Sequence, residues 1–406
     1  MAAEAAGTPT CYQLAPRLKG FDGPTVWHEF TPLAKEVGAV NLGQGFPDWQ
    51  APAFMKAAAK RAVDEDYNQY TRSGGHVPLV QQLAKWYKRV LQRDIDAMTE
   101  VTVTVGATEA MFALLQALVA DGDEHTGQAG VESTGSAWGL DLPALEAAIT
   151  PATRILVLNT PHNPTGKMFS REEMQGIADI VARHPRIVVI CDEVYEHMTY
   201  DGHDHVQFPT LPGMWERSVT VSSAGKTFSV TGWKVGWVVG PAPLVKGVML
   251  VNQWVQFSVA TPLQQAVAWA LEEVTHDSYF AYLRAQYLAK RTLLCDALNA
   301  AGLKAIAPEG GFFVMADTSA VSIPDSYLAE STPACPSMTR DWAFCRWLTK
   351  EVGVAAIPPS AFYQDSDKHL VANLARFAFC KTDEALTEAA GRLAKLAPAA
   401  TKPAGE

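Results

Sequence analysis

Lys226 stands in Ser223-Ala224-Gly225-Lys226, and a second cation, Lys234, follows eight residues on inside Thr231-Gly232-Trp233-Lys234-Val235-Gly236-Trp237. A hydroxyl three residues before a lysine, with another cation beyond it, suits a site that binds a phosphate and keeps an amine free for Schiff-base chemistry. Three further segments carry groups suited to the same chemistry, namely Asn159-Thr160-Pro161-His162-Asn163-Pro164-Thr165-Gly166, Cys191-Asp192-Glu193-Val194-Tyr195 and Ala375-Arg376-Phe377-Ala378-Phe379. Each has a plainer reading. A single lysine is usually a solvated surface group, Asn163-Pro164-Thr165-Gly166 is a good turn, and Tyr195 is an ordinary interior aromatic. Asp192, after four apolar residues, suits a helix N-cap. Arg376 sits between apolar neighbours, where an unpaired charge is costly, so it needs either a bidentate anionic ligand or a structural ion pair.

These residues need a frame, and the middle of the chain supplies one by alternating β-branched runs with helical patterns. Val101-Thr102-Val103-Thr104-Val105 precedes a helix predicted from near Thr108, and Arg154 to Leu158 precedes the Asn163 loop. Ile187 to Cys191 precedes Asp192, and Ser218 to Val221 precedes Ser223. Such a pattern predicts a parallel sheet covered on both faces, with the polar residues just past the strands' carboxyl ends, where open α/β sheets place ligands. Gly106-Ala107-Thr108, at one such strand-to-helix turn, offers backbone amides for a phosphate. A long helix is predicted from Tyr279 to Ala301, with Leu283, Tyr287, Leu294 and Leu298 on one face and Gly302 as its stop. The shorter patterns beyond it, at 311–315, 353–357 and 374–379, predict a smaller α+β unit.

Taken together and in this order, the four motifs resemble the class I/II aminotransferases that use pyridoxal 5'-phosphate. The likeness is greatest to the kynurenine aminotransferase, glutamine transaminase K and cysteine-S-conjugate β-lyase group, and Asn41-Leu42-Gly43-Gln44-Gly45-Phe46-Pro47-Asp48 shares it. The resemblance implies an α/β, fold-type I architecture: a large cofactor-binding domain over 48–280 and a smaller α+β domain from 1–47 and 281–406. It implies that Lys226 is the Schiff-base lysine and proton carrier, that Asp192 pairs with the pyridine nitrogen, and that Tyr195 and Asn163 bond the ring's phenolic oxygen. Gly106, Ala107, Thr108, Ser223 and Lys234 then hold the phosphate, joined by Tyr70 from the partner of a homodimer. Arg376 receives the substrate α-carboxylate, Gly45 lets the N-terminal loop approach it, and Trp27, Phe257 and Phe362 are candidate walls of an aromatic pocket. The implied activity is ping-pong exchange of an amino group between an amino acid of the kynurenine, glutamine, methionine or aromatic type and a 2-oxo acid. A β-lyase acting on cysteine S-conjugates would use the same groups.

One stretch departs from the family. After Asp121-Gly122-Asp123-Glu124, where relatives run into an apolar strand, come thirteen polar or small residues from His125 to Ala137 before the pattern resumes at Trp138. This composition predicts a flexible linker, with a strand, a helix and a second strand missing. The lost unit carries the aromatic ring that stacks on the cofactor in relatives, so a weakly active or inactive chain is the rival expectation. Trp138 aligns with a residue beyond that unit and is not expected to replace the ring.

Composition narrows the classes further. At 406 residues, 48% hydrophobic and 19% charged, the chain reads as a globular enzyme of two domains. It has no run of 18 apolar residues, so no membrane partner is expected. A net charge of −10 argues against nucleic acid as a partner. The six cysteines show neither paired spacing nor a CxxC motif, and no metal site is expected. The first ten residues lack the features of a secretory or mitochondrial signal, so a cytoplasmic location is expected. The Ala-, Pro- and Lys-rich end from Lys395 reads as disordered.

Overall fold

The computed structural model describes residues 15–18, 23–126, 131–133, 138–274 and 278–396. The expectations for the first ten residues, for Cys11 and for the end beyond Leu396 lie outside them.

A six-stranded sheet runs in the order Val101–Val105, Val235–Val239, Ser218–Ser223, Val188–Asp192, Thr153–Asn159 and Glu124–Thr126. The last four strands are mutually parallel, while Val235–Val239 is antiparallel to both its neighbours. The sheet is therefore α/β and mostly parallel. Its period of two sends alternate residues to opposite faces. Val189 and Cys191 join Leu156, Leu158, Ile177 and Val181 on one side. Ile190 joins Ile155, Val219 and Val238 against Ala110, Leu114, Val245 and Val248 on the other.

The long helix spans Ser278–Ala300 and buries Leu283, Tyr287, Leu294 and Leu298, as their spacing predicts. It stops at Gly302, whose φ of +81° suits a residue without a Cβ. Beyond it, Phe313–Asp317 lies between Lys304–Ile306 and Leu374–Ala378 in an antiparallel sheet, and Val40–Asn41 pairs with Val354–Ala355. That last pairing returns the N-terminal segment to the C-terminal part of the chain.

A seam ties the two parts together. Gly166, at φ +73°, accepts from the amides of Glu309 and Gly310 at 3.0 and 2.9 Å. A Cβ on Gly166 would lie 2.1 Å from Pro308 Cβ, so only glycine permits this approach.

The stretch from His125 to Ala137 corrects the linker expectation. Glu124–Thr126 forms the edge strand, parallel to Thr153–Asn159, and Val131–Ser133 pairs antiparallel with Trp138–Leu140. Backbone pairing made these elements where side chains gave no apolar signal. The turn before the edge strand is held by Arg186, whose guanidinium bonds Asp123 Oδ1 at 2.6 Å and the Pro151 carbonyl at 2.9 Å. Residues 127–130 and 134–137 lie outside the described part.

Candidate active site

The polar residues past the strand ends converge on one cavity of about 440 Å³, lined by Gly106, Ala107, Thr108, Asp192, Ser223, Lys226 and Lys234, with Met111, Val194, Gly225, Thr231 and Val235. The predicted phosphate donors, the lysine and the carboxylate thus share a single space. The helix begins at Gly106, two residues before the expected start, and runs to Leu118. Gly106 makes the turn at φ +73°, and a Cβ there would sit 3.0 Å from Lys234 Nζ. Gly236 lets the antiparallel strand pass so close that a Cβ would meet Gly106 C at 2.5 Å. The helix N-terminus, its unpaired amides and the Lys234 ammonium therefore bound the same end of the cavity, a setting that favours a dianion.

Asp192 ends one strand, and Lys226 lies in the short helix Ala224–Thr227 that follows the neighbouring parallel strand Ser218–Ser223. Burial is the main cause that raises the Asp192 acid to about 6, with the adjacent Glu193 charge adding to it and a hydrogen bond from the Val194 amide opposing it. Burial likewise lowers the Lys226 ammonium below its ordinary range. Its Nζ donates to the Gly45 carbonyl at 3.1 Å and lies 5.0 Å from the Phe312 ring centroid. Beneath this end of the sheet is a group of acids that motif reading missed. Glu196 accepts from Ser222 Oγ at 2.8 Å and Tyr87 Oη at 3.2 Å, and burial, then the Glu193 charge, raises it to about 7.

Arg376, expected to receive the substrate α-carboxylate, sits beside this cavity. Arg376 is 3% exposed, and its Nη1 donates to Asn163 Oδ1 at 3.1 Å while Nη2 donates to the Gly43 carbonyl at 3.0 Å. Nε has no partner, so the fork is only partly satisfied, and burial lowers the guanidinium to about 10. No ion pair with a carboxylate satisfies it among the described residues. Its Cζ lies over the rings of Phe313, Phe362 and Trp27 at 4.3, 5.1 and 5.6 Å. Asn163 also bonds the Tyr195 hydroxyl, whose acidity burial suppresses. The Asn163 loop and the Arg376 strand, far apart in sequence, are thereby joined through one amide side chain.

The N-terminal segment crosses this mouth. Asn41 Oδ1 accepts from the amides of Gly43 and Gln44, which turns the chain, and Gly45 lies flat on Phe313, where a Cβ would be 2.3 Å from Cζ. Lys381, which motif reading also missed, is 4% exposed and donates from Nζ to the Phe46 carbonyl at 3.0 Å. Of the other named residues, Gly45, Asn163, Tyr195, Arg376 and Trp27 are not among those lining this cavity, and Tyr70 and Phe257 lie on an exposed face. Tyr70 is 84% exposed and makes an edge contact with Phe257 at 5.2 Å, so Phe257 walls no part of the Arg376 pocket here.

The described lining of the cavity includes no aromatic residue. Trp138 lies in a hairpin with Val131–Ser133 and is not among the lining residues.

Comparison with known proteins gives the chain its family. The chain is 43% identical to a kynurenine–oxoglutarate transaminase of Dictyostelium discoideum, over 92% of this chain and 94% of that protein. It is 39% identical to human kynurenine–oxoglutarate transaminase 3, over 92% and 88%. Among solved structures, the N-succinyldiaminopimelate aminotransferase of Mycobacterium tuberculosis superimposes with a TM-score of 0.85 at 38% identity, covering 95% of this chain and 100% of that one. A putative kynurenine aminotransferase of Saccharomyces cerevisiae gives a TM-score of 0.88 at 31% identity, over 95% and 99%. Residues 37–126 and 131–393 match aminotransferase class I and II, the match breaking only at 127–130. The chain belongs to the class I and II aminotransferases.

Proposed function

We propose that this aminotransferase works with pyridoxal 5'-phosphate and moves an amino group between an amino acid of the kynurenine, glutamine, methionine or aromatic type and a 2-oxo acid. The observation that carries this reading is the convergence of Lys226, Asp192, Lys234 and the Gly106 helix N-terminus on one cavity, with Arg376 beside it. The donor set fits the group: a cation and backbone amides suit its phosphate, a carboxylate its ring nitrogen, an amine its aldehyde. The kynurenine–oxoglutarate relatives favour the substrate class.

When bound, the cofactor supplies an electron-withdrawing ring that accommodates the charge left as a proton leaves the substrate α-carbon. The chain's own residues do the rest. Gly106, Ala107, Thr108, Ser223 and Lys234 would hold the phosphate. The Asp192 carboxylate would keep the ring nitrogen protonated, and the hydroxyl of Tyr195 and the amide of Asn163 would bond the phenolic oxygen. Lys226 would be the amine that meets the cofactor's aldehyde and the base that removes and returns the α-proton, and burial, which lowers its ammonium below the ordinary range, favours the neutral amine this needs. Arg376 exchanges the Gly43 carbonyl for the substrate carboxylate and orients the α-carbon, with Trp27 and Phe362 beside the side chain.

A homodimer belongs to the same reading. The exposed Tyr70 and Phe257 pair, with Trp254 84% and Leu250 53% exposed nearby in sequence, supports a second copy covering this face and Tyr70 reaching its phosphate. The domain limits at 48–280, and at 1–47 with 281–406, are supported by the return of Val40–Asn41 to Val354–Ala355. A cytoplasmic setting is favoured by five buried free cysteines, and no described helix is long and apolar enough to cross a membrane.

The reading is tested by reducing the loaded protein with borohydride, mapping the modified peptide, and identifying products from kynurenine with 2-oxoglutarate. Label on Lys226 and a new amino acid product are expected. Label elsewhere, or pyruvate and ammonia from a cysteine conjugate with no transamination, would overturn it.

A further inference from the structure

Three carbonyls of the N-terminal segment each meet a different cation at the site mouth. Gly43 accepts from Arg376 at 3.0 Å, Gly45 from Lys226 at 3.1 Å and Phe46 from Lys381 at 3.0 Å. The first two cations have other work in the reading above, so their carbonyl bonds are given up whenever ligands arrive. The third has none. Lys381 lies against the Phe46 ring, with Nζ 4.5 Å from its centroid, and no described carboxylate pairs with it. A buried ammonium held by one carbonyl and one ring face is costly unless the segment it holds stays in place. The next residue repeats the tie, for the Thr382 amide donates to Asp48 Oδ1 at 2.6 Å. Both ties hang from the end of the strand that carries Arg376.

We infer that Lys381 is a positioning residue that anchors residues 43–46 as a strap, holding it across the site while Arg376 and Lys226 exchange its carbonyls for substrate and cofactor. The strap has few other holds. The Leu42 carbonyl accepts from the Ala378 amide at 2.6 Å and Gln44 Nε2 donates to Thr31 Oγ1 at 2.8 Å, while among the described residues Gly45 and Phe46 are held through their carbonyls, by Gly45 packing on Phe312 and Phe313, and by Lys381 against the Phe46 ring. The inference rests on the proposed function for its kinetic part and is independent of it for its structural part.

Two full-length variants, Lys381→Met and Lys381→Arg, test it. In the cofactor-free protein without substrate, the Gly43 and Gln44 amides, which bond Asn41 Oδ1 within the strap, should exchange hydrogen at least about tenfold faster in Lys381→Met than in the parent, with the protected amides outside the strap unchanged. In the loaded enzyme, KM for both amino and oxo acid should rise about tenfold while kcat stays within about threefold, because the loss is of binding orientation and not of proton transfer. Lys381→Arg, which keeps the charge and the donors, should restore both. Unchanged strap exchange in Lys381→Met overturns the anchor, whatever the activity. Faster exchange with unchanged KM overturns the positioning role. Failure of the function itself would instead appear as unlabelled Lys226, and the exchange measurement would still decide the anchor.

Discussion

The two ends of the main sheet are built on different terms. At one end, four strands bring Gly106, Asp192, Ser223, Lys226 and Lys234 to one cavity, and Gly106 and Gly236 remove the Cβ atoms that would keep the backbones apart. At the other, the sheet ends in the three-residue strand Glu124–Thr126, whose first two residues are exposed. The first end gathers the groups to which the proposed reading gives the cofactor; the second contributes no described aromatic to the cavity. On that reading, the contrast separates the residues that would hold and activate a cofactor from those that would cover its ring.

The sharpest way to break this contrast is at the rich end. Lys226→Ala should abolish transamination while leaving the fold intact, measured as product formation beside an unchanged circular dichroism spectrum; residual turnover above trace would show that another amine serves. Asp192→Asn should come next, with two readouts. Turnover should fall by orders of magnitude, since a neutral amide cannot hold the ring nitrogen protonated. Stability of the cofactor-free protein should move the other way. The Asp192 acid is raised from 3.8 to about 6, so the stability its neutral form contributes is full below about 3.8 and is lost as pH rises through 6. The asparagine variant escapes that loss, and above pH 7 should be more stable than the parent by up to about 3 kcal/mol, an upper limit from the shift itself. Urea midpoints at pH 5 and pH 8 measure the difference. Arg376→Ala should raise KM for both substrates by the equivalent of about 1.5 to 3 kcal/mol, the worth of a charge-assisted pair, and steady-state kinetics with both partners decides whether Arg376 is instead structural.

The smallest effect is expected at the poor end. Inserting the corresponding strand-helix-strand segment of an active relative between Glu124 and Trp138 should tighten cofactor binding by about 1 to 3 kcal/mol, the range for stacking of comparable rings. Cofactor titration and thermal midpoints of both chains test it. Equal affinity would mean that the edge already closes the wall, and Trp138 would be the first residue to replace.

The rich end was legible because its groups are chemically improbable together and each follows a β-branched run, so strand ends fell within a residue or two of their observed positions. The long helix was legible from its 3.6-residue pattern, which Leu283, Tyr287, Leu294 and Leu298 obey. The edge strand was not, because Glu124, His125 and Thr126 are strand only by bonding to a partner near residue 155, a pairing no local pattern encodes. Val235–Val239 was hidden within a motif already assigned to phosphate binding. Glu193 and Glu196 were invisible because burial of an acid is a property of the whole fold, and Lys381 because its partner is a carbonyl 335 residues away.

The seam at Gly166 and Pro308 has a mechanical consequence. With 3.0 and 2.9 Å hydrogen bonds across it and no room for a Cβ, the Asn163 loop and the 308–311 corner behave as one block. Any swing of the C-terminal part against the sheet must pivot close to this point, as a door turns at its jamb. The Asn163 to Arg376 bond, three residues from Gly166 on the loop side, lies close to that pivot and would be among the contacts least disturbed by such a swing.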